Sequence, residues 1–185
     1  MNKHLKPIFE IVITKIQSAN IDYWVYGGVG YAAIVGRFYR PNADVDLFVL
    51  ENNFEEVKII LEDRCKENRW EIRQKSLPSG RPKIKLFIEK RETMSIIPVY
   101  KKEKTVEFKF PEGPKEYPHD RLAQIPRYLD DFVFITPPDI LLKELLIDYF
   151  ESKSKYPDKR KRLQDARHIL SEEEFKKYFP NDSYT

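Results

Sequence analysis

Asp44 and Asp46 stand two residues apart in the run ADVDLFVL. Val45, Leu47 and Val49 alternate with Asp44, Asp46 and Phe48, which is the period of a strand, so both carboxylates project to one face. Two carboxylates this close repel each other unless a cation or water lies between them. A hard divalent cation such as Mg²⁺ takes oxygen ligands, and such a pair, with substrate phosphates, can hold it. Upstream, Trp24, Val25 and Tyr26 are β-formers that run into Gly27 and Gly28. Paired glycines leave no side chain in the path of a phosphate. If a helix opens there, its free N–H groups favour an anion. Arg40, four residues before the first acid, shares a loop with Arg37, and both read as surface charge or as phosphate contacts. A Gly-Gly pair alone is commonly a tight turn, and a lone D-x-D is commonly a solvated edge or a Ca²⁺ site. The conjunction is rarer. A phosphate cradle one strand from a metal clamp points to phosphoryl or nucleotidyl transfer.

Other elements must hold these residues in place. Leu5, Ile8, Phe9, Ile11, Val12, Ile13 and Ile16 recur at near-helical spacing and predict a first helix over 4–19 that packs on a sheet. Strands are expected over 23–26 and 44–50, with a helix from Tyr31 to Val35 between them. A helix capped by Asn52 or Asn53 runs to about Glu67, its stripe formed by Phe54, Val57, Ile60 and Leu61. Strands follow over 70–75, 84–89, 93–100 and 106–110. Pro98 breaks the third of these or puts it at an edge. Residues 111–126 are Pro-rich and read as a surface loop, in which His119 is incidental. From Thr136 the character turns helical: a helix to about Phe150 with Pro in its first turn, a linker over 152–158, a basic helix over 159–170, and a last helix near 171–178 opened by a capping box of Ser171 and Glu174. The fold class is α/β (α+β): a mixed sheet with helices mainly on one side, residues 1–135, and a small C-terminal helical extension, residues 136–185.

The 185 residues suit one domain or a core with an appendage, and an apolar share of 41% is enough to build it. Charged residues are many, at 34%, but of mixed sign, with a net charge of only +3. That describes a surface laced with ion pairs, and it neither requires nor excludes nucleic acid. A single cysteine, Cys65, rules out an intramolecular disulfide. No apolar run reaches the length of a membrane span, so a soluble cytoplasmic protein without a membrane partner is expected.

The stretch from Tyr23 to Leu50 resembles the signature of the DNA polymerase β-like nucleotidyltransferase superfamily: Gly27-Gly28, a gap of fifteen residues, then Asp44-Val45-Asp46 on a strand. RPNADVDL is similar to the R-x-T/S-x-D-x-D-L form of aminoglycoside nucleotidyltransferases and AbiE-type toxins, with Asn42 where Thr or Ser is usual. The tail TPPDILLKELL and KRLQDARHIL looks like a toxin-type pattern, a helix with an inward Lys and then an R/K-x-x-D helix. The resemblance implies a nucleotidyltransferase fold and transfer of NMP from an NTP, expected to be ATP, to a hydroxyl, with release of pyrophosphate. It implies Asp44 and Asp46 as catalytic residues holding Mg²⁺, and Gly27, Gly28, Arg40 and Lys143 against the nucleotide phosphates, with Asp165 lining the site. The acceptor is left open among a small molecule, a tRNA end and a protein hydroxyl.

The resemblance also implies a third carboxylate on a later strand, acting as general base. The natural position reads Ile84-Lys85-Leu86, which holds a lysine. Either Glu89 or Glu107 supplies the base, or the third acid is absent. In the last case the chain is a non-catalytic nucleotide- or RNA-binding relative. A toxin–antitoxin component is a further alternative.

Overall fold

The alternation that separates Val45, Leu47 and Val49 from Asp46 and Phe48 gives one sheet two unlike faces. The structure is a computed structural model that describes residues 2–77, 80–110, 113–151 and 159–182. The chain opens on a 3-10 turn (Lys3–Leu5), a π-helical stretch (Ile8–Ile13) and α1 (Thr14–Ser18). There follow β1 (Tyr23–Tyr26), α2 (Gly27–Val35), β2 (Val45–Leu50), α3 (Phe54–Asn68), β3 (Glu71–Ser76), β4 (Pro82–Ile88), β5 (Arg91–Lys101), β6 (Thr105–Phe110), β7 (Gly113–Pro118), β8 (Ile125–Leu129) and β9 (Phe132–Thr136). Helices α4 (Asp139–Glu151), α5 (Lys159–Ile169) and α6 (Glu172–Tyr178) close the chain.

The main sheet has the order β1-β2-β5-β4-β3, with β6 and β7 continuing from the far end of β5. Among the described residues only β2 and β5 pair in parallel, and the other pairs of this sheet are antiparallel. One face carries Tyr23, Val25, Val45, Leu47, Val49, Ile84, Leu86, Met94 and Ile96, buried under the N-terminal helical segment and α3. On the opposite face, Trp24, Phe48, Ile97 and Val99 are buried under Phe108 and Tyr117 of the β6–β7 hairpin and Leu141 of α4. A third cluster joins Tyr31 of α2 to Leu142, Leu146, Ala166, Ile169 and Phe175 of the C-terminal helices. Those helices therefore pack against α2, the helix that the Gly-Gly pair opens.

Several expectations need correction. The first helix is not uniformly α-helical: Thr14 Oγ1 donates to Phe9 O at 3.1 Å, five residues back, in keeping with the wider π pitch. Gly27 and Gly28 are the first turn of α2 rather than a turn before it. Pro98 neither breaks β5 nor sets it at an edge. It pairs in register with Val49 on one side, while on the other the β4 pairing ends at Ile96, so its missing N–H falls beyond the last β4 pair. The expected loop over 111–126 contains β7, a 3-10 turn (His119–Leu122) and the start of the β8–β9 hairpin. Pro114 and Pro118 are tolerated because β7 pairs only with β6 and is an edge strand. His119 points its Nε2 at the carbonyls of Lys102 and Thr105, at 2.7 and 2.8 Å, and fastens that turn. The capping box at Ser171 and Glu174 forms as expected. The expected linker over 152–158 lies outside the described residues.

Candidate active site

One row of residues crosses the sheet in register: Tyr26, Asp46, Ser95, Lys85 and Arg73, from β1, β2, β5, β4 and β3. The Ser95 hydroxyl donates to Asp46 Oδ1 at 2.5 Å. The other oxygen, Oδ2, faces Gly27, where a Cβ would lie 2.6 Å away. Gly27 also has a φ of +63°, so both the close approach and the backbone demand glycine. A Cβ on Gly28 would strike Asn42 Oδ1 and come within 2.6 Å of Arg40 Nη2. With α2 starting at Gly27, the helix's first-turn N–H groups, which have no intrahelical acceptor, open beside Asp46.

Asp44 sits one residue before β2 and is half-buried. Burial first, then the Asp46 carboxylate and then Glu92 push its carboxyl up to about 7, against the opposing charges of Lys83 and Arg162. The protein thus holds an acid whose negative charge is under-compensated, beside a second acid. Oxygen donors with excess negative charge suit a hard divalent cation. Among the described residues no cluster of three or more His, Cys, Asp or Glu side chains is arranged to hold a metal. An ion like Mg²⁺ needs only one or two carboxylates when substrate phosphates and water complete its shell, so the residues present fit it.

Arg40, expected against phosphates, is held by an acid of the helical extension and lies beside Gly28. Its Nε and Nη2 donate to Asp165 Oδ1 and Oδ2 at 2.6 and 2.8 Å, a bidentate pair with exposures of only 8% and 0%. Its Nη1 donates to Asn42 Oδ1 at 2.7 Å. The Tyr39 hydroxyl also donates to Asp165, at 2.8 Å, and burial together with that carboxylate drives the phenol well above its ordinary range. Arg40 is therefore balanced by α5 and positions the loop ahead of Asp44. Asp165 belongs to this clamp, with Arg162 of its own helix a looser partner at 3.8 Å. Asn42 serves the same loop, its backbone N–H donating to Asn2 Oδ1 at 2.7 Å.

Lys143 likewise turns elsewhere: its Nζ donates to both carboxylate oxygens of Glu174, at 2.9 and 3.2 Å, tying α4 to α6. Among the described residues of the helical extension, Arg162 has a charge that reaches Asp44 and Tyr26. The R/K-x-x-D pattern drew attention to Asp165, and the more useful member for the site is the basic one.

The strand bonded to β2 beside the acids is β5, and its residue level with Asp46 is Ser95, not a carboxylate. Neither expected substitute stands in the row of Asp46 and Ser95. Glu89 lies in the β4–β5 turn with a φ of +50°. Glu107 sits on β6 level with Tyr100, five residues beyond Ser95, where Arg81, Lys102 and Lys109 surround it and Lys102 above all holds its carboxyl below the usual range. The carboxylate that sequence reading missed is Glu92. Between β4 and β5 the register slips: Leu86 pairs with Met94 but Phe87 pairs with Glu92, leaving Thr93 as an extra residue. Such a bulge reverses the face of what precedes it. It puts Glu92 on the face of Ser95 and Asp46, where Lys85 Nζ meets Glu92 Oε2 at 2.5 Å. No local residue pattern announces the bulge, so only the pairing could reveal it.

The similarities to known proteins agree with this geometry. Residues 9–124 match the family model described as aminoglycoside-2''-adenylyltransferase. The fold is shared with the lincosamide antibiotic adenylyltransferase LnuA bound to lincomycin, at 19% identity and a TM-score of 0.64 over 90% of this chain and 96% of that one. It is shared too with ANT(2'')-Ia in complex with adenylyl-2''-tobramycin, at 15% identity and a TM-score of 0.65 over 96% and 95% of the two chains. A putative nucleotidyltransferase from Thermotoga maritima aligns at 11% identity and a TM-score of 0.59 over 89% and 96%. No curated protein matches the sequence. The family match covers more than half of the chain and includes the Gly-Gly pair, the two aspartates and β5, so the protein belongs to the aminoglycoside-2''-adenylyltransferase family and is a nucleotidyltransferase.

Proposed function

We propose that the protein transfers NMP from an NTP, ATP by preference, to a hydroxyl acceptor in a Mg²⁺-dependent reaction. The observation that carries this reading is the pairing of an under-compensated Asp44 with an Asp46 whose Oδ2 faces a glycine at the start of α2. In this reading Asp44 and Asp46 hold the metal, which when bound neutralises charge on the triphosphate. Gly27 and Gly28 admit the phosphates to the first-turn N–H groups of α2, and Arg162 offsets their charge. Ser95 fixes the rotamer of Asp46 through Oδ1. Glu92, steadied by Lys85 through Oε2, takes the proton of the acceptor hydroxyl on its other oxygen. The acceptor oxygen bonds to the α-phosphorus as the bond from that phosphorus to the pyrophosphate oxygen breaks. The C-terminal helices 136–185 contribute to the site through Arg162 and the Asp165 clamp.

The test is ATP titration with and without Mg²⁺, together with pyrophosphate release, on the wild type and on Asp46→Ala. Metal-dependent binding that falls by at least about a hundredfold in the variant, with an unchanged melting temperature, is expected. Equal ATP binding by both proteins would falsify the assignment. One observation favours a second reading: Ser95 stands beside Asp46 where an acid would complete the trio. Mg·ATP binding by the wild type with no pyrophosphate release from any acceptor, and no effect of Glu92→Gln, would mark a nucleotide-binding relative without turnover.

A further inference from the structure

On the flank of the acids away from α2, the site face is cationic. Lys85 lies level with Asp46, half-buried Lys83 lies one row along on the same face of β4, level with Ile97 and Phe48, and exposed Lys75 of β3 lies directly opposite Lys83. The carboxylates on these strands are already matched, Glu71 by Arg73 and Glu92 by Lys85, each at 2.5 Å. Neither Lys75 nor Lys83 makes an ion pair among the described residues. Like charges directly opposite on paired strands repel, so this pair is relieved when an anion joins it. The lysines also lie on the far side of the acids from Gly27 and Gly28. The strand order puts β1 and α2 on one flank of Asp46, and β4 and β3 on the other. If the triphosphate occupies the α2 flank, the lysine pair faces the remaining reactant. Two strand spacings, about 10 Å, and two residues, about 7 Å, separate the Cα atoms of Asp46 and Lys83. A lysine arm shortens that to the size of a sugar. A polycationic antibiotic would instead meet like charge, and repulsion of that kind sets specificity as firmly as attraction does.

Building on the nucleotidyl-transfer reading, we propose that the acceptor is a hydroxyl compound bearing a phosphate, with its phosphate on Lys75 and Lys83 and its hydroxyl turned toward Asp44 and Asp46. The new bond joins that hydroxyl oxygen to the α-phosphorus of the nucleotide, pyrophosphate leaves, and the hydroxyl proton passes to Glu92.

Calorimetric titration of ribose 5-phosphate, ribose and tobramycin into the protein saturated with Mg²⁺ and α,β-methylene-ATP tests the assignment. Ribose 5-phosphate is expected to bind at least about tenfold more tightly than ribose, and to lose about tenfold in Lys75→Glu/Lys83→Glu saturated in the same way, while Lys75→Glu alone, which stands away from Asp44, leaves nucleotide affinity unchanged. A short RNA with a free 3′ hydroxyl, titrated in parallel, separates a nucleic-acid source of the phosphate from a free sugar phosphate. Whichever binds must lose affinity in the double variant. Tighter binding of tobramycin, no advantage for ribose 5-phosphate over ribose, or indifference to the double variant overturns the proposal. Failure of the wild type to bind the nucleotide analogue removes the transfer reading itself, a different and separately visible result.

Discussion

Phe48 and Asp46 are two residues apart on one strand and point to the same side of the same sheet, yet their surroundings are opposite. Phe48 is fully buried, stacked on Tyr26 with ring centroids 3.7 Å apart and edge-on to Phe108 at 4.7 Å. Asp46 is half-buried, its neighbours Ser95 and a helix start. The difference comes from what lies above the strand. The β6–β7 hairpin and Leu141 of α4 cover Phe48, Ile97 and Val99, whereas Asp46 meets the Ser95 hydroxyl and the start of α2. A single strand thus anchors the fold at one end and presents carboxylates at the other. The rigidity of the buried part sets the position of the exposed part.

Removing the anchor should have the largest effect on stability. Phe48→Ala deletes a buried aromatic ring and should cost about 4 kcal/mol, read from urea unfolding. If the covered row positions the open one, Mg·ATP affinity at a temperature where the variant is folded should also fall. Unchanged affinity would separate the two regions. Asp165→Ala attacks the open region from the other side. It leaves the Arg40 guanidinium buried without its carboxylate, at a cost of about 3 kcal/mol. Hydrogen exchange should quicken over 40–46 and stay slow over β6 and β7. Uniform quickening would mean that the clamp supports the whole fold rather than the loop.

The smallest expected effect is a pH slope. Asp44 has its carboxyl raised to about 7 in the folded protein, above its ordinary value. The folded state therefore holds a proton that the unfolded chain releases. The resulting destabilisation is absent below the unfolded value near 4 and complete above about 7. Without Mg²⁺, stability should fall by about 2 kcal/mol across that window, an amount discounted for the solvent that still reaches the carboxylate. Asp44→Asn should flatten the slope and be the more stable protein at pH 8. A wild type whose melting temperature does not fall over the window would count against the under-compensated pair.

The two aspartates were legible because strand alternation is local: six residues suffice to show which side chains share a face. The Gly-Gly pair was legible for a related reason, since paired glycines have few uses at a strand end. The clamp on Arg40 was not legible because its partner, Asp165, lies 125 residues away. The tie of Lys143 to Glu174 was hidden in the same way, by 31 residues. Glu92 was invisible because its face depends on one unpaired residue, Thr93, in the β4–β5 register. The proline content of 111–126 suggested a loop because an edge strand tolerates prolines that a central strand does not.

The clamp between Arg40 and Asp165 also bears on synthesis. A chain emerging in order from the ribosome can pair β1, β2 and β5 before α5 exists, but the loop ahead of Asp44 must then carry an unneutralised arginine. Burial of that arginine waits for a carboxylate made 125 residues later. A nascent chain interrupted before α5 is therefore expected to expose the loop to proteases and to lack a settled nucleotide pocket. Premature termination would yield an inert fragment rather than a partly active transferase.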